Sequence, residues 1–147
     1  MNKQETTSTP QREATYAPRP LEQIGVIHIM ATHNNTLIQL TDITGSETIA
    51  KCTGGMVVKS QHKEGSPYAA MKVAELVAQK AKEKGFRKIH VKVRAKGGIR
   101  SKSPGQGAEA AIISLTRNGL RIISIDNVTP IPHDGCKKKK RDRSKRK

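Results

Sequence analysis

The stretch SPYAAMKVAELVAQKAKEKG, Ser66 to Gly85, runs into KIHVKVRA, Lys88 to Ala95, and its apolar period changes from helical to strand-like on the way. Ser66 is a good N-cap, Pro67 suits the first helical position, and Gly85 can end the helix in the left-handed region. Ala70, Val73, Ala74, Val77, Ala78 and Ala81 recur at spacings of three and four, which puts them on one face. That face is small, so the helix should pack close to its neighbours. From Lys88 onward Ile89, Val91 and Val93 point one way, and Lys88, His90, Lys92 and Arg94 the other.

The rest of the domain follows outward from this pair. Upstream, Ile24–Ala31, Thr36–Thr41 and Glu47–Thr53 are β-rich runs separated by His33-Asn34-Asn35 and Asp42–Gly45, which have turn chemistry. They read as an antiparallel meander. Gly54-Gly55 breaks the pattern, and a basic loop with Lys59, His62 and Lys63 leads to Ser66. Downstream, a glycine-rich loop from Lys96 to Gly105 precedes a helix over Gly107–Asn118, stopped by Gly119, and a last strand over Leu120–Ile125. The order βββαβαβ predicts an α/β domain with a mixed sheet, three layers and right-handed helical crossovers, as in ribonuclease H-like domains.

Composition sets the boundaries and the partner class. The chain has 147 residues, 28 Lys+Arg against 12 Asp+Glu, and only three aromatics, Tyr16, Tyr68 and Phe86. Residues 1–23 carry Pro10, Pro18 and Pro20 with balanced charge and read as an extended arm; 24–129 form the domain; 130–147 form a basic tail. Residues 25–133 are net +9 and residues 134–147 net +7, a density that cannot bury a core and that attracts polyanions. Nucleic acid is the first partner expected; an anionic membrane surface or duplex DNA is the alternative. No apolar run approaches the roughly 20 residues of a membrane span, and the N-terminus has no secretory pattern. Two cysteines 84 positions apart are no disulfide framework, which favours a reducing, intracellular setting.

Within the domain, Lys96-Gly97-Gly98-Ile99-Arg100-Ser101-Lys102-Ser103-Pro104-Gly105 carries the strongest functional signal. Glycines let backbone approach phosphate, Lys96, Arg100 and Lys102 supply charge, and the next helix offers free N–H groups. Gly105-x-Gly107-x-x-Ala110 matches a dinucleotide fingerprint literally, with Asp126 about where a ribose-binding acid would stand. Yet nine residues separate Ala95 from Gly105, too many for a glycine turn leaving a strand, so no cofactor is expected. A two-metal nuclease would need converging carboxylates, and only Asp42 and Asp126 stand near strand ends. Metal is equally unsupported: His133 and Cys136 form one close pair, and Cys52 and His62 stand elsewhere. Tyr68 falls in the first turn of the Ser-Pro helix, where core packing is the default. With so few aromatics the protein should grip backbone and shape rather than stack bases.

These residues resemble a known family, ribosomal protein eleven of the small subunit in bacterial numbering, which is protein fourteen of the eukaryotic small subunit. The resemblance covers about Gly25 to Gly135 and is carried by Asn34-Asn35-Thr36, Thr53-Gly54-Gly55-Met56, Ser66-Pro67-Tyr68-Ala69-Ala70-Met71, Gly97-Gly98, Lys102-Ser103-Pro104-Gly105 and Asp126 through His133. The Ser-Pro-Tyr block is similar to the archaeal and eukaryotic branch. Ser103 and Gln106 depart from the Thr and Pro that the family commonly has, and Lys137–Lys140 replaces its Arg/Pro-rich ending.

The resemblance implies a non-enzymatic constituent of the small subunit, bound to the central domain of rRNA on the platform near the mRNA exit path. It also implies neighbouring platform proteins, a part in assembly and rRNA 3′-end maturation, no homo-oligomer, and a cytoplasmic ribosome with nucleolar assembly in a eukaryote. It carries rRNA contact onto Asn34, Asn35, Lys59, Lys63, Gly97, Gly98, Arg100, Lys102 and His133, and onto the tail cations Lys137, Lys138, Lys139, Lys140, Arg141, Arg143, Lys145, Arg146 and Lys147. Lys96 and Ser103 join them from the loop. Arg94 joins as a phosphate ligand projecting from the polar side of its strand.

Overall fold

A computed structural model describes residues 23–98 and 102–135. Arg100, the tail from Cys136 with its expected RNA-binding cations, and the arm up to residue 22 lie outside the described residues. The strands are β1 (Gln23–Ala31), β2 (Thr36–Asp42), β3 (Thr48–Thr53), β4 (Phe86–Arg94) and β5 (Arg121–Asn127); the helices are α1 (Gly54–Val57), α2 (Pro67–Glu83) and α3 (Gly107–Arg117). Every long element expected from the pattern is present, with ends moved by no more than two residues. The exception is Gly54-Gly55, which opens the single turn of α1 instead of a plain break. A short 3-10 turn over Gln61–Lys63 follows it.

The sheet order is β3-β2-β1-β4-β5. β2 is antiparallel to β1 and β3, whereas β1, β4 and β5 run parallel, so the sheet is mixed. Strict alternation makes one side apolar: Ile27 and Ile29 of β1, Ile38 and Leu40 of β2, and Ile89 and Val91 of β4 are buried there. On α2 the buried set is Ala69, Ala70, Val73, Ala74, Val77, Ala78 and Ala81, the face the periodicity marks. Burying each large aliphatic side chain is worth about 1.5–3 kcal/mol, so this single layer of contact carries most of the stability.

The expected third layer is absent among the described residues. α2 and α3 pack on each other, and Ser114 Oγ of α3 donates to the Met71 carbonyl of α2 at 3.0 Å. Both crossovers, β3 to β4 and β4 to β5, step in the same direction across the sheet. Two crossovers of one hand and one direction must lie on one face. The α/β class and the element order stand, but the described domain has two layers, with one sheet face bare.

Tyr68 is also placed differently from expectation. It is 61% exposed, because the inward row of α2 begins at Ala69 and Ala70 and the preceding position faces outward. The helix starts as its residues predict: the Ser66 hydroxyl accepts from the Ala69 N–H at 3.3 Å and donates to the Lys63 carbonyl at 2.6 Å.

Candidate nucleic-acid interface

The topology gathers the chemistry-bearing loops at one end of the sheet. β1, β3, β4 and β5 all run toward that end, and β2 starts from it. There lie the Thr32–Asn35 turn, the segment from Gly54 to Ser66, the glycine-rich loop after β4, and the residues following β5. Both long helices begin there too, so their N-terminal N–H groups face the same side as the basic loops.

These loops are held by close backbone contact. The Thr32–Asn35 turn closes with the Thr32 N–H on the Asn35 carbonyl at 2.9 Å. Gly65 and Gly105 press on this turn from two sides: a Cβ at Gly65 would fall 2.3 Å from the His33 oxygen, and one at Gly105 2.4 Å from the Thr32 oxygen. The Gly105 N–H also donates to the Ala31 carbonyl at 3.1 Å. The far end of the basic loop is thus anchored to β1. At its near end the Gly98 N–H donates to the Pro130 carbonyl at 3.3 Å, and the Ala95 N–H to Thr129 Oγ1 at 3.0 Å. Gly97 and Gly98 both take positive φ, of 79° and 80°, as this approach requires.

The expected RNA-contact residues divide by environment. Lys59, Lys63, Lys96 and Lys102 are exposed at this end, together with Asn34, Gly98, Ser103 and His133. None of the four lysines has a carboxylate partner among the described residues; the ion pair Lys72 Nζ–Glu75 Oε2, at 3.0 Å, lies on the outer side of α2. Four unneutralised cations beside two helix N-termini make a surface suited to phosphate. Asn35 also has a structural part. Half-buried, its Oδ1 accepts from the Gly54 N–H at 3.1 Å and so ties the β1–β2 turn to α1. Gly97 is half-buried against Pro130. Arg94 is exposed at the end of β4, in register with Met30, and lines the bare sheet face.

Catalytic alternatives fail on geometry. Asp42 closes β2 at the far end of the sheet, in register with Gly25, whereas Asp126 is in register with Lys92 on β5, three strands across. Strands spaced about 4.8 Å apart keep these carboxylates too distant to share a metal. Asp42 serves its own turn, accepting from Thr44 Oγ1 at 2.5 Å, Ser46 Oγ at 3.1 Å and the Glu47 N–H at 3.2 Å. The Thr44 hydroxyl foremost holds its carboxyl below the usual range. The fingerprint-like glycines are spent on packing, since the space beside Gly105 and Gly107 is filled by Thr32 and Thr36. Cys52 is buried in the core beside β2, and burial pushes its thiol up, away from nucleophilic or ligand chemistry. No helix among the described residues is long and apolar enough to cross a membrane.

Sequence reasoning missed the structural glycines Gly54, Gly65 and Gly107 and the clamp role of Asn35. Loop glycines carry no periodic signal, and their contacts are long-range. Compared with known families, the chain matches the model of ribosomal protein S11 over residues 25–143. That match takes in the whole described fold from the third residue of β1 onward.

Proposed function

We propose a place and a binding mode for this chain from the premise that it belongs to the ribosomal protein S11 family, and so is a structural, non-enzymatic constituent of the small ribosomal subunit that binds rRNA beside other ribosomal proteins. Its place is the platform, on the central domain of the rRNA near the mRNA exit path, as one copy per subunit. There it supports assembly and maturation of the rRNA 3′ end, in the nucleolus first if the cell is eukaryotic.

The observation that supports this mode is the shared end of the sheet, where exposed Lys59, Lys63, Lys96 and Lys102 stand beside two helix N-termini. Phosphates dock on those lysines and on the backbone around Gly97 and Gly98, with Asn34, Ser103 and His133 at the rim. Asn35 acts by holding the turn, and Arg100 adds charge to the same loop. Residues 130–147, with their cations from Lys137 to Lys147, extend the contact along rRNA, and residues 1–23 reach platform neighbours.

The test is reconstitution of small subunits with full-length Ser103→Cys, Cys136→Ser protein carrying Fe-EDTA at position 103, the buried Cys52 being left in place, followed by mapping of rRNA cleavage. Cleavage confined to the central domain supports the placement, and cleavage only in other domains overturns it. In parallel, Lys59→Ala with Lys63→Ala and Lys102→Ala should flatten the salt dependence of rRNA binding by about 2–3 in log–log slope. An unchanged slope removes this end of the sheet from the RNA.

A further inference from the structure

The sheet face turned away from α2 and α3 has no element packed on it among the described residues. It carries a built recess. In register across β2, β1 and β4 stand Gln39, His28 and Lys92 as one row, and Leu37, Met30 and Arg94 as the next. The first row is polar; the second has two apolar members and ends on a guanidinium. The β2–β3 turn at Gly45 and Val128 after β5 wall it into a space of about 370 Å³.

The charge of the recess is positive and its floor is apolar. Lys92 and Arg94 lie two residues apart on one face of a strand, about 6–7 Å along it. Asp126 is in register with Lys92 but forms no ion pair with it; its Oδ2 accepts from Ser124 Oγ at 3.4 Å. Half-buried His28 has its imidazole pulled below the ordinary value by burial, then by Lys92, which disfavours its protonated form. Gln39 Nε2 donates to Thr48 Oγ1 at 2.9 Å, which leaves Oε1 as the acceptor of that amide.

We infer that this recess holds a single unpaired nucleotide of rRNA, its phosphate on Lys92 and Arg94 and its base laid over Met30 and Leu37. The inference rests on the rRNA binding of the family but assigns the bare sheet face, which adjoins the loop end at Arg94 and Val128. Several features select this occupant. Two cations with no carboxylate partner among the described residues match a phosphodiester. Met30 and Leu37 offer the flat face of a base an aliphatic contact rather than aromatic stacking, and any base can make it. A protein strand is disfavoured because β1 is central and its backbone is already paired on both sides, so no strand can add there.

The test uses full-length protein made with photo-methionine and carrying Met56→Leu and Met71→Leu, so that Met1 and Met30 bear the label; it is reconstituted into small subunits and irradiated, and cross-links are assigned to Met30 by their loss in Met30→Leu. A cross-link to one unpaired rRNA nucleotide is expected. A cross-link to a neighbouring protein, or to a base-paired helix, or none from subunits that have incorporated the protein, overturns the inference. Separately, Lys92→Ala with Arg94→Ala should weaken rRNA binding about tenfold or more near 0.1 M salt and lower the salt slope by about 1.4. Unchanged affinity and slope in a variant with wild-type circular dichroism would also overturn it. Incorporation of the unaltered protein, scored in the same gradients, reads the family assignment independently of the recess.

Discussion

Replacing Gly107 with alanine should destabilise the protein, although alanine is the better helix former. Gly107 opens α3 and lies against the first residue of β2. A Cβ there would fall 2.2 Å from Thr36 Oγ1 and 3.0 Å from Ala70 Cβ. Thr36 is fully buried, and its Oγ1 has no hydrogen-bond partner among the described residues. Turning the threonine leaves its Cβ at 3.3 Å and Ala70 Cβ at 3.0 Å from the new methyl, so the helix must still give. Overpacking of this kind costs about 1–3 kcal/mol, against a gain of about 0.5–1 kcal/mol from replacing glycine in a helix. The difference spans about 0–2.5 kcal/mol and centres near 1 kcal/mol, a fall in melting temperature of roughly 4–8 °C for a domain of this size.

The partner substitution separates this argument from a general intolerance of change. Thr36→Ala removes the nearest atom that the new methyl would meet, leaving Ala70 Cβ at 3.0 Å, and it removes a buried hydroxyl without a partner among the described residues. Gly107→Ala combined with Thr36→Ala should therefore recover at least half of the loss, with a coupling of about 1 kcal/mol in a double-mutant cycle. The assay is urea unfolding of the full chain followed by circular dichroism. A single Gly107→Ala variant as stable as the parent, or a double variant no better than the sum of the singles, would refute the packing argument.

Other expectations are open to direct measurement. Ser66→Ala removes the hydroxyl that caps α2 and holds the Lys63 carbonyl, and should cost about 1–2 kcal/mol in the same urea assay. His28 has a depressed folded pKa, so the unfolded chain binds its proton more readily. Its contribution is full above the ordinary value near 6.5 and is lost as pH falls through the folded value; His28→Gln should flatten the urea midpoint between about pH 7.5 and pH 5. Gly97→Ala meets both a positive φ and Pro130, a Cβ there lying 2.4 Å from its Cγ, so it should weaken rRNA binding while leaving the core melting transition nearly unchanged. Asp134 precedes Gly135 and holds φ at 64° on the surface, and glycine does not shield its nitrogen. Slow formation of isoaspartate should then be detectable by peptide mapping of aged protein, and a map showing only normal aspartate would dismiss it.

The strands and long helices were legible because their side chains report one-sided burial directly. Ile89, Val91 and Val93 alternate with Lys88, His90 and Lys92, and only a sheet with one covered face satisfies that pattern. The layer count was not legible. Periodicity tells which face of α2 or α3 is apolar, but not which side of the sheet it covers. Tyr68 faces outward because angular position on the helix, not residue type, decides its burial. β5 shows the same limit: Ile123 and Ile125 look like core residues, yet they are 48% and 54% exposed, since β5 is an edge strand with a register shift beside His90. At the loop end, the charges were plain in the sequence, whereas Asn35 could not be recognised as a clamp. Its partner, Gly54, is 19 residues away and comes near only when β2 and β3 pair.

The sheet order also has a consequence for synthesis. The meander β1–β2–β3 is complete by Thr53, but α2 ends only at Glu83 and β4 at Arg94. While those roughly 40 residues are being made, at about 5–20 residues per second, Ile27, Ile29, Ile38 and Leu40 have nothing to cover them. A nascent chain of this protein thus passes through an interval of about 2–8 s with a ready but naked β-sheet. Its yield then depends on what meets that sheet first, its own α2 or another molecule in the cell.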